Sequence, residues 1–470
     1  MFEQPRFPRI AVVPLTAGLL WFVYTAAEGL RVGDVFRLIP GALLFSAGTA
    51  QLLWPGDNRI AQFMSLAGVL GMLISGIGLF FWGFVEALVL WVASAASYLA
   101  AGAISVLQEP HVEEVPVPEP SLRLDAEVAA DEALLATMTA TIPIVVGDEP
   151  AFVRDELIEA KELFEDRGWH EKPLAYHVAP PPLERPHLRS ARVRGIDYEH
   201  LSFESEYEPH AEEPGRERWL GYAANRTAHA WVVRHSDPSR PWLFCIHGYQ
   251  MGWPLIDLSA FNPRWFGDRL GMNLVLPVLP LHGARKMGRR SGDGFLSGRV
   301  MDSIHAEAQA MWDMRRILSW VRGQGGTRAG AYGLSLGGYN AALFASVADD
   351  LACAIPGIPA TDFSRLVWRH GPPLHVARFE HLGLRREAMH EVLGVVSPLV
   401  LEPKVPKESR AIFGGIVDRL VPPDQVRDLW RHWDRPKIVW YPGAHMTFGL
   451  HPRVRHLIED TLRDSGMTSA

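Results

Sequence analysis

The sequence predicts an α/β protein preceded by an all-α membrane region, and two observations carry this prediction. In the C-terminal part, a strand-like stretch at residues 328–332 runs through Gly333-Leu334-Ser335-Leu336-Gly337 into a helix-like stretch at residues 339–347. In the first 108 residues, four long apolar stretches follow one another with almost no charge. The chain therefore combines a globular part with a part suited to a lipid environment.

The pattern around Ser335 has the form G-x-S-x-G at a change from strand to helix. In that context it is typical of a nucleophile elbow, a sharp turn that exposes a serine hydroxyl above a sheet. Gly333 and Gly337 allow the turn to be that tight. Ser335 is therefore the candidate nucleophile.

An acid and then a histidine should follow such a nucleophile, each just after a strand. A strand candidate at residues 409–413 runs into the loop that contains Asp418, and another at residues 437–441 runs into the loop that contains His445. Asp362, which follows a strand candidate at residues 351–355, is an alternative acid, although it is equally suited to capping the next helix. His451 is an alternative base, but its place before a helix-like stretch favours a solvated helix start.

These residue types are needed together because a serine hydroxyl is a weak nucleophile at neutral pH. His445 would accept the proton of Ser335, and Asp418 would orient the imidazole and stabilise its charged form. The oxyanion needs two amide donors, of which the backbone of Leu336 supplies one.

The second donor should come from the loop after the buried strand at residues 242–246. Tyr249 is the first choice and Gln250 the second. His247 and Gly248 form the turn that leads into this loop. His247 precedes the nucleophile in the chain, which is the wrong order for the base, so we interpret it as a structural support of the loop.

With these residues identified, the chain from about residue 198 to the C-terminus resembles the α/β-hydrolase family. The resemblance rests on the His247-Gly248 turn, the Ser335 elbow and the loops of Asp418 and His445, in the family's order. It implies a mostly parallel eight-stranded sheet flanked by helices, an acyl-enzyme mechanism, and neither cofactor nor metal. Members with an aspartate nucleophile are disfavoured by Ser335. The substrate stays open, because this fold supports many reactions.

The N-terminal stretches at residues 10–27, 38–56, 60–85 and 87–108 are each near the ~20 residues that span a bilayer core. They predict about four transmembrane helices, with Glu86 in a tight turn between the third and the fourth. Arginine placement favours a cytoplasmic N-terminus and a cytoplasmic hydrolase domain. The arginines counted inside are Arg6, Arg9, Arg59 and Arg123, and those counted outside are Arg31 and Arg37.

The predicted domains follow from these patterns. Residues 1–108 form the transmembrane region, 109–121 a linker rich in proline and glutamate, 122–194 a helical accessory segment, and 195–470 the hydrolase domain. The hydrolase domain should open with antiparallel strands around residues 199–206, 219–224 and 228–234. Residues 361–396 should form a helical cap, whose apolar residues either line an acyl pocket or pack the cap onto the core.

Composition narrows the function. A net charge of −7 and a pI near 6.3 argue against nucleic acid as a partner. The histidines and the two cysteines lack paired ligand spacing, so no metal is expected. Nothing in the sequence indicates the oligomeric state.

The leading hypothesis is a multi-pass protein of the cell membrane that cleaves carboxylic esters with Ser335, Asp418 and His445. The membrane region extends this hypothesis to lipid or lipid-like acyl esters. An acyltransferase or thioesterase with the same triad is the first alternative. The second is a membrane scaffold whose hydrolase domain has no catalytic activity.

Overall fold

A computed structural model describes residues 9–27, 35–139, 149–237, 239–296 and 299–468, with the side chains of residues 149 and 150 excluded. The chain divides into two compact units. The first contains Met1–Pro143, Gly415–Pro423 and Trp440–His451, and the second contains Ile144–Gly414, Asp424–Val439 and Pro452–Ala470.

In the part of the first unit that the structure describes, five α-helices pack on one another. They are α1 (Val12–Ala27), α2 (Val35–Leu53), α3 (Asn58–Gly78), α4 (Phe84–Gln108) and α5 (Leu122–Thr139). Helices α2, α3 and α4 are long and apolar enough to cross a membrane, whereas α1, with 16 described residues, is shorter. The prediction of apolar helices is thus confirmed, and three of the four reach spanning length.

These helices differ from those of a soluble bundle in what they expose and bury. Large apolar side chains such as Phe36, Phe63 and Phe84 lie outside, while many serine, glycine and alanine residues lie inside. In the interior, the indole of Trp21 donates a hydrogen bond to Ser94 Oγ over 3.1 Å. Small residues and interhelical hydrogen bonds at helix contacts are typical of membrane helices.

Glu86 differs from its prediction. It lies in the first turn of α4 rather than in the preceding turn, and it forms an ion pair with Arg37 in α2. A carboxylate in the first turn is favoured by the positive end of the helix dipole. Arg37 is therefore a buried helix residue and not the loop residue that the orientation count assumed. Arg6 and Arg31 lie outside the described residues.

Residues 109–121 were predicted to be a linker that does not pack. In the structure Val115 is buried, and Glu109 forms an ion pair with Arg419, a residue of the same unit. Helix α5 follows and packs against α3 and α4, where the Tyr98 hydroxyl donates to the carbonyl of Ala126 over 2.8 Å. The predicted accessory segment is therefore divided, with α5 in the first unit.

One sheet organises the second unit. Within the described residues it has nine strands in the order β1-β2-β3-β5-β4-β6-β7-β8-β9. The strands are β1 (His187–Val193), β2 (Ile196–Glu204), β3 (Thr227–Val233), β4 (Trp242–Ile246), β5 (Asn273–Val278), β6 (Ala329–Leu334), β7 (Leu351–Gly357), β8 (Ala411–Gly415) and β9 (Lys437–Tyr441).

The pairing explains why the count exceeds the predicted eight. Strand β1, from the range assigned to the accessory segment, pairs antiparallel with β2, which adds an edge strand. Strands β2, β3 and β5 continue antiparallel, whereas β4 pairs in parallel with β5 and β6, as do β6 with β7 and β7 with β8. The coarse prediction of a large, mostly parallel sheet with helices is confirmed.

Helices accompany the sheet. They are α6 (Glu149–Asp166), α7 (Arg216–Leu220), α8 (Pro254–Ala260), α9 (Val300–Gly323), α10 (Leu336–Val347), α11 (Phe363–His370), α12 (Pro373–His381), α13 (Arg386–Leu393), α14 (Pro423–His432) and α15 (Pro452–Asp464). Helix α7 replaces the strand predicted around residues 219–224, because Trp219 is buried from a helical turn. Helices α11, α12 and α13 occupy the range of the predicted cap.

Candidate active site

Ser335 lies between β6 and α10 in a strained backbone conformation. Its φ is 58° and its ψ is −115°, a region that non-glycine residues rarely adopt. The Ser335 amide donates to the carbonyl of Gly357 over 2.9 Å, and the Ser335 carbonyl accepts from the amide of Tyr339 over 3.0 Å. The strain is thus held by hydrogen bonds on both sides of the serine.

The two glycines of the pattern are required by close packing. A Cβ atom on Gly333 would lie 1.9 Å from the carbonyl oxygen of Gly337, and one on Gly337 would lie 1.9 Å from that of Ile246. Neither position has room for a side chain. The elbow is therefore pressed against the end of β4.

The loop after β4 carries the predicted oxyanion donor. A Cβ atom on Gly248 would lie 3.6 Å from Ser335 Cβ, so this loop passes beside the nucleophile. In the part of the chain that the structure describes, the amides of Tyr249 and Leu336 donate to no other group. Two free N–H donors therefore occur in the two segments that flank Ser335.

His247 holds this loop. Its Nε2 accepts from the amide of Leu279 over 3.1 Å, so Nδ1 carries the proton and donates to the carbonyl of Gly248 over 2.8 Å. Burial lowers the pKa of His247 to about 4, which keeps the ring neutral. These contacts fit the structural role expected for His247.

Asp418 and His445 meet in the first unit. Asp418 Oδ2 and His445 Nδ1 are 2.7 Å apart. Asp418 Oδ1 accepts from the amides of Leu420 and Val421 over 3.0 and 2.8 Å, which fixes the carboxylate. Because Nδ1 is committed to Asp418, Nε2 is the nitrogen that His445 can offer to a substrate or a nucleophile.

The electrostatics of this pair favour a charged imidazole. Burial by itself lowers the pKa of His445, but attraction to Asp418, the hydrogen bond between them and attraction to Asp131 outweigh burial and raise it. An imidazolium that forms during proton transfer is therefore stabilised where it arises.

The two alternative residues have other roles. Asp362 caps α11 by accepting from the amide of Arg365 over 3.1 Å, and it also pairs with the side chains of Arg365 and His390. His451 ends a 3₁₀ helix just before α15, and its ring lies 4.8 Å from that of Tyr441. These contacts agree with the non-catalytic roles considered for the two residues, which were a helix cap for Asp362 and a position at a helix start for His451.

One residue of this site was not predicted. Asp131, in α5, accepts hydrogen bonds from the backbone amides of His445 and Arg419 over 2.8 and 3.1 Å. It lies in a segment whose only sequence signal was helical composition. A single sequence contains no pattern that would have paired it with loops about 300 residues away.

The predicted site residues fall into two groups. Ser335, its glycines, Leu336 and the loop with His247, Gly248 and Tyr249 belong to the second unit, whereas Asp418 and His445 belong to the first. The structure brings together the members of each group.

The predicted cap presents aromatic packing towards α10. Phe363 stacks on Tyr339 with ring centroids 4.2 Å apart, and Phe295 contacts Phe363 edge-on at 5.4 Å. Phe363 is thereby buried in the core. Val367, Trp368 and Phe379 instead border a small, mostly apolar cavity beside α9. The cap residues thus divide between packing and lining.

Comparison with known proteins gives relatives and fold neighbours. No known protein-family model matches the chain. "Uncharacterized protein Rv2627c" and "Uncharacterized protein MT2702", from two strains of Mycobacterium tuberculosis, are each 41% identical over 365 residues, covering 76% of this chain and 86% of theirs.

Solved structures with a similar fold include esterases. The acetyl xylan esterase from Paenibacillus sp. R4 has a TM-score of 0.45 and 16% identity over 69% of this chain and 98% of its own. Acetyl xylan esterase 1 from Thermoanaerobacterium sp. JW/SL YS485 has a TM-score of 0.44 and 15% identity over 63% of this chain and 93% of its own. Similarities at this level assign no activity to this chain.

The sheet and the elbow define an α/β protein with the strand-turn-helix arrangement of α/β hydrolases. At 41% identity over most of both chains, the protein belongs to the same family as the mycobacterial proteins Rv2627c and MT2702.

Proposed function

We propose that this protein is a membrane-anchored serine hydrolase that cleaves carboxylic esters through an acyl-enzyme intermediate. The observation that carries the proposal is the strained backbone of Ser335 at the turn from β6 to α10. Strain of this kind persists where surrounding structure enforces it, and it clusters at active sites. The bond between Asp418 and His445 adds the acid and the base that such a nucleophile needs.

In the proposed reaction, Ser335 Oγ attacks the acyl carbonyl while His445 Nε2 accepts the hydroxyl proton. The oxyanion is stabilised by the free amides of Tyr249 and Leu336. His445 then donates the proton to the leaving alcohol, and an acyl group remains on Ser335. Water, activated by the same histidine, attacks the acyl-enzyme and releases the acid.

The substrates we propose are lipid or lipid-like acyl esters. The support is the outward-facing apolar surface of α2, α3 and α4, which would anchor the protein in a membrane, a source of acyl chains. We place the protein in the cell membrane with the hydrolase part on the cytoplasmic side, which protease protection in intact cells tests.

The experiment compares wild-type protein with Ser335→Ala on acyl esters of increasing chain length. Loss of the nucleophile should reduce turnover by about 10⁴-fold or more. Labelling by a fluorophosphonate probe should occur in wild-type protein and be absent from the variant. Equal turnover by the two proteins would contradict the proposal, and folded wild-type protein that is not labelled would favour the scaffold alternative. Product analysis with an added alcohol or amine acceptor separates hydrolysis from acyl transfer.

A further inference from the structure

A single carboxylate oxygen of Asp131 joins the two loops that carry the acid and the base. Asp131 Oδ2 accepts from the amide of His445 itself and from that of Arg419, the residue next to Asp418. Asp131 is 1% exposed, and its other oxygen has no hydrogen-bond partner among the described residues. Both loop backbones are thus tied to one point on α5.

Other contacts along α5 strengthen this connection. Glu132 forms an ion pair of 2.7 Å with the buried guanidinium of Arg419, which also pairs with Glu109. One turn earlier, Glu127 accepts from the hydroxyl of Thr447 over 2.9 Å. Val417, just before the acid, packs against Leu124 and Val128. The loops are therefore held by charge, hydrogen bonds and apolar contact from the same helix.

Asp131 also acts on the charges around it. Burial and, to a smaller extent, repulsion from Asp418 raise the pKa of Asp131 to about 7. Attraction to His445 and the hydrogen bonds from the amides of His445 and Arg419 act in the opposite direction and lower it. Among the described residues, Tyr98 from α4 also interacts electrostatically with Asp131. In its ionised form, which predominates above its pKa, Asp131 stabilises the imidazolium of His445.

We propose that Asp131 is a positioning residue of the acid–base pair, which fixes the loops of Asp418 and His445 and adds a negative charge beside the imidazole. This inference rests on the proposed function for its effect on turnover. Helix α5 packs against α3 and α4. The apolar helices would therefore help to position His445 in addition to anchoring the protein.

Two variants separate the two parts of this role. Asp131→Asn keeps an oxygen that can accept both amide bonds but removes the charge, whereas Asp131→Ala removes both. Asp125→Asn is the matched control, because it removes a carboxylate from the same helix at a position without a hydrogen bond to either loop. Thermal unfolding of all three variants reports whether each remains folded.

The readouts are the pKa of His445 and the pH profile of kcat/KM. The pKa is measured by NMR of protein with labelled histidines, in which the signal of His445 is assigned from the spectrum of His445→Gln. In Asp131→Asn we expect a lower pKa of His445 and an acidic limb of kcat/KM at lower pH. In Asp131→Ala we expect a loss of kcat/KM of about 10²-fold, since small displacements of catalytic groups cost that much. Asp125→Asn should match wild type in both readouts.

The outcomes distinguish the two proposals. If wild-type protein has no turnover and Ser335 is not labelled, the proposed function fails, while NMR still measures the effect of Asp131 on His445. An unchanged pKa of His445 in Asp131→Asn would then overturn the positioning role. If wild-type protein is active, a wild-type pH profile in Asp131→Asn together with wild-type kcat/KM in Asp131→Ala would overturn it as well.

Discussion

The elbow of Ser335 and the loops of Asp418 and His445 are held in place by different means. The elbow is fixed by backbone sterics at two glycines, of which Gly333 faces the carbonyl of the same turn and Gly337 faces the carbonyl of Ile246 at the end of β4. The two loops are fixed by side chains that are distant in sequence, since Asp131 lies 288 and 314 residues from the amides it binds. The pattern of the elbow is therefore visible within five residues, whereas the contacts that hold the loops are visible only in the completed fold.

Among changes in the two loops, Asp418→Asn should have the largest effect on catalysis. We expect kcat to fall by about 10⁴-fold, because an amide in that position stabilises the wrong tautomer of the imidazole. Ester turnover at saturating substrate measures it. Asp362→Asn is the control, because asparagine still caps α11 and the variant loses only the ion pairs of Asp362 with Arg365 and His390, which should cost about 1 kcal/mol of stability with little change in rate. A rate loss in Asp362→Asn as large as that in Asp418→Asn would mean that the acid was assigned to the wrong loop.

The difference between the two regions explains how much of the site was predictable. Strands β4 and β9 begin and end where the apolar runs predicted, so the loops that follow them were located correctly. The G-x-S-x-G pattern was interpretable because it lies between a strand-like and a helix-like stretch and because an acid and a histidine follow it in order. In contrast, nothing in residues 122–139 indicated that Asp131 binds the amide of His445, because that contact exists only after both segments have folded.

The remaining differences have the same origin. Strand β1 is polar and lies at an edge of the sheet, so it lacks the apolar run that marks an inner strand. Residues 219–224 have a strand-like composition, but Trp219 reaches the core from helix α7. Glu86 was placed in a turn because a charge interrupts an apolar stretch, yet its pairing with Arg37 makes a place within α4 acceptable. Tertiary contacts outweighed local composition in each of these segments.

Gly337→Ala tests the steric origin of the elbow. The added Cβ would meet the carbonyl of Ile246 at 1.9 Å, which requires backbone movement. We expect the free energy of unfolding to fall by about 3 kcal/mol, at the upper end of overpacking costs. Gly323→Ala is the matched control, because Gly323 ends α9 with no atom within 4 Å of its added Cβ, and it should be neutral or slightly stabilising. Equal stability of the two variants in chemical denaturation would show that the elbow tolerates displacement.

The smallest predicted effect is a shift in the pH dependence of kcat/KM, which arises from the charges in the loops of Asp418 and His445. His445 must be neutral to accept the proton of Ser335, and its net pKa is raised above the ordinary value of 6.5 by Asp418 and Asp131 despite burial. We therefore expect kcat/KM for an ester without ionisable groups to reach half of its plateau above pH 6.5. A half-plateau at or below pH 6.5 would contradict the charge arrangement described for the loops.

The raised pKa of His445 also affects stability, but it favours the folded state at low pH, whereas activity is favoured at high pH. A histidine whose pKa is raised in the folded state stabilises the fold below its unfolded pKa, and this contribution is lost as the pH rises through the folded value. The protein should thus be most active in the pH range where His445 no longer contributes to stability. Denaturation midpoints of wild type and His445→Gln, compared at pH 5.5 and pH 8.5, should differ more at the lower pH. The elbow contains no group that titrates in this range, so its stability should not follow the same pattern.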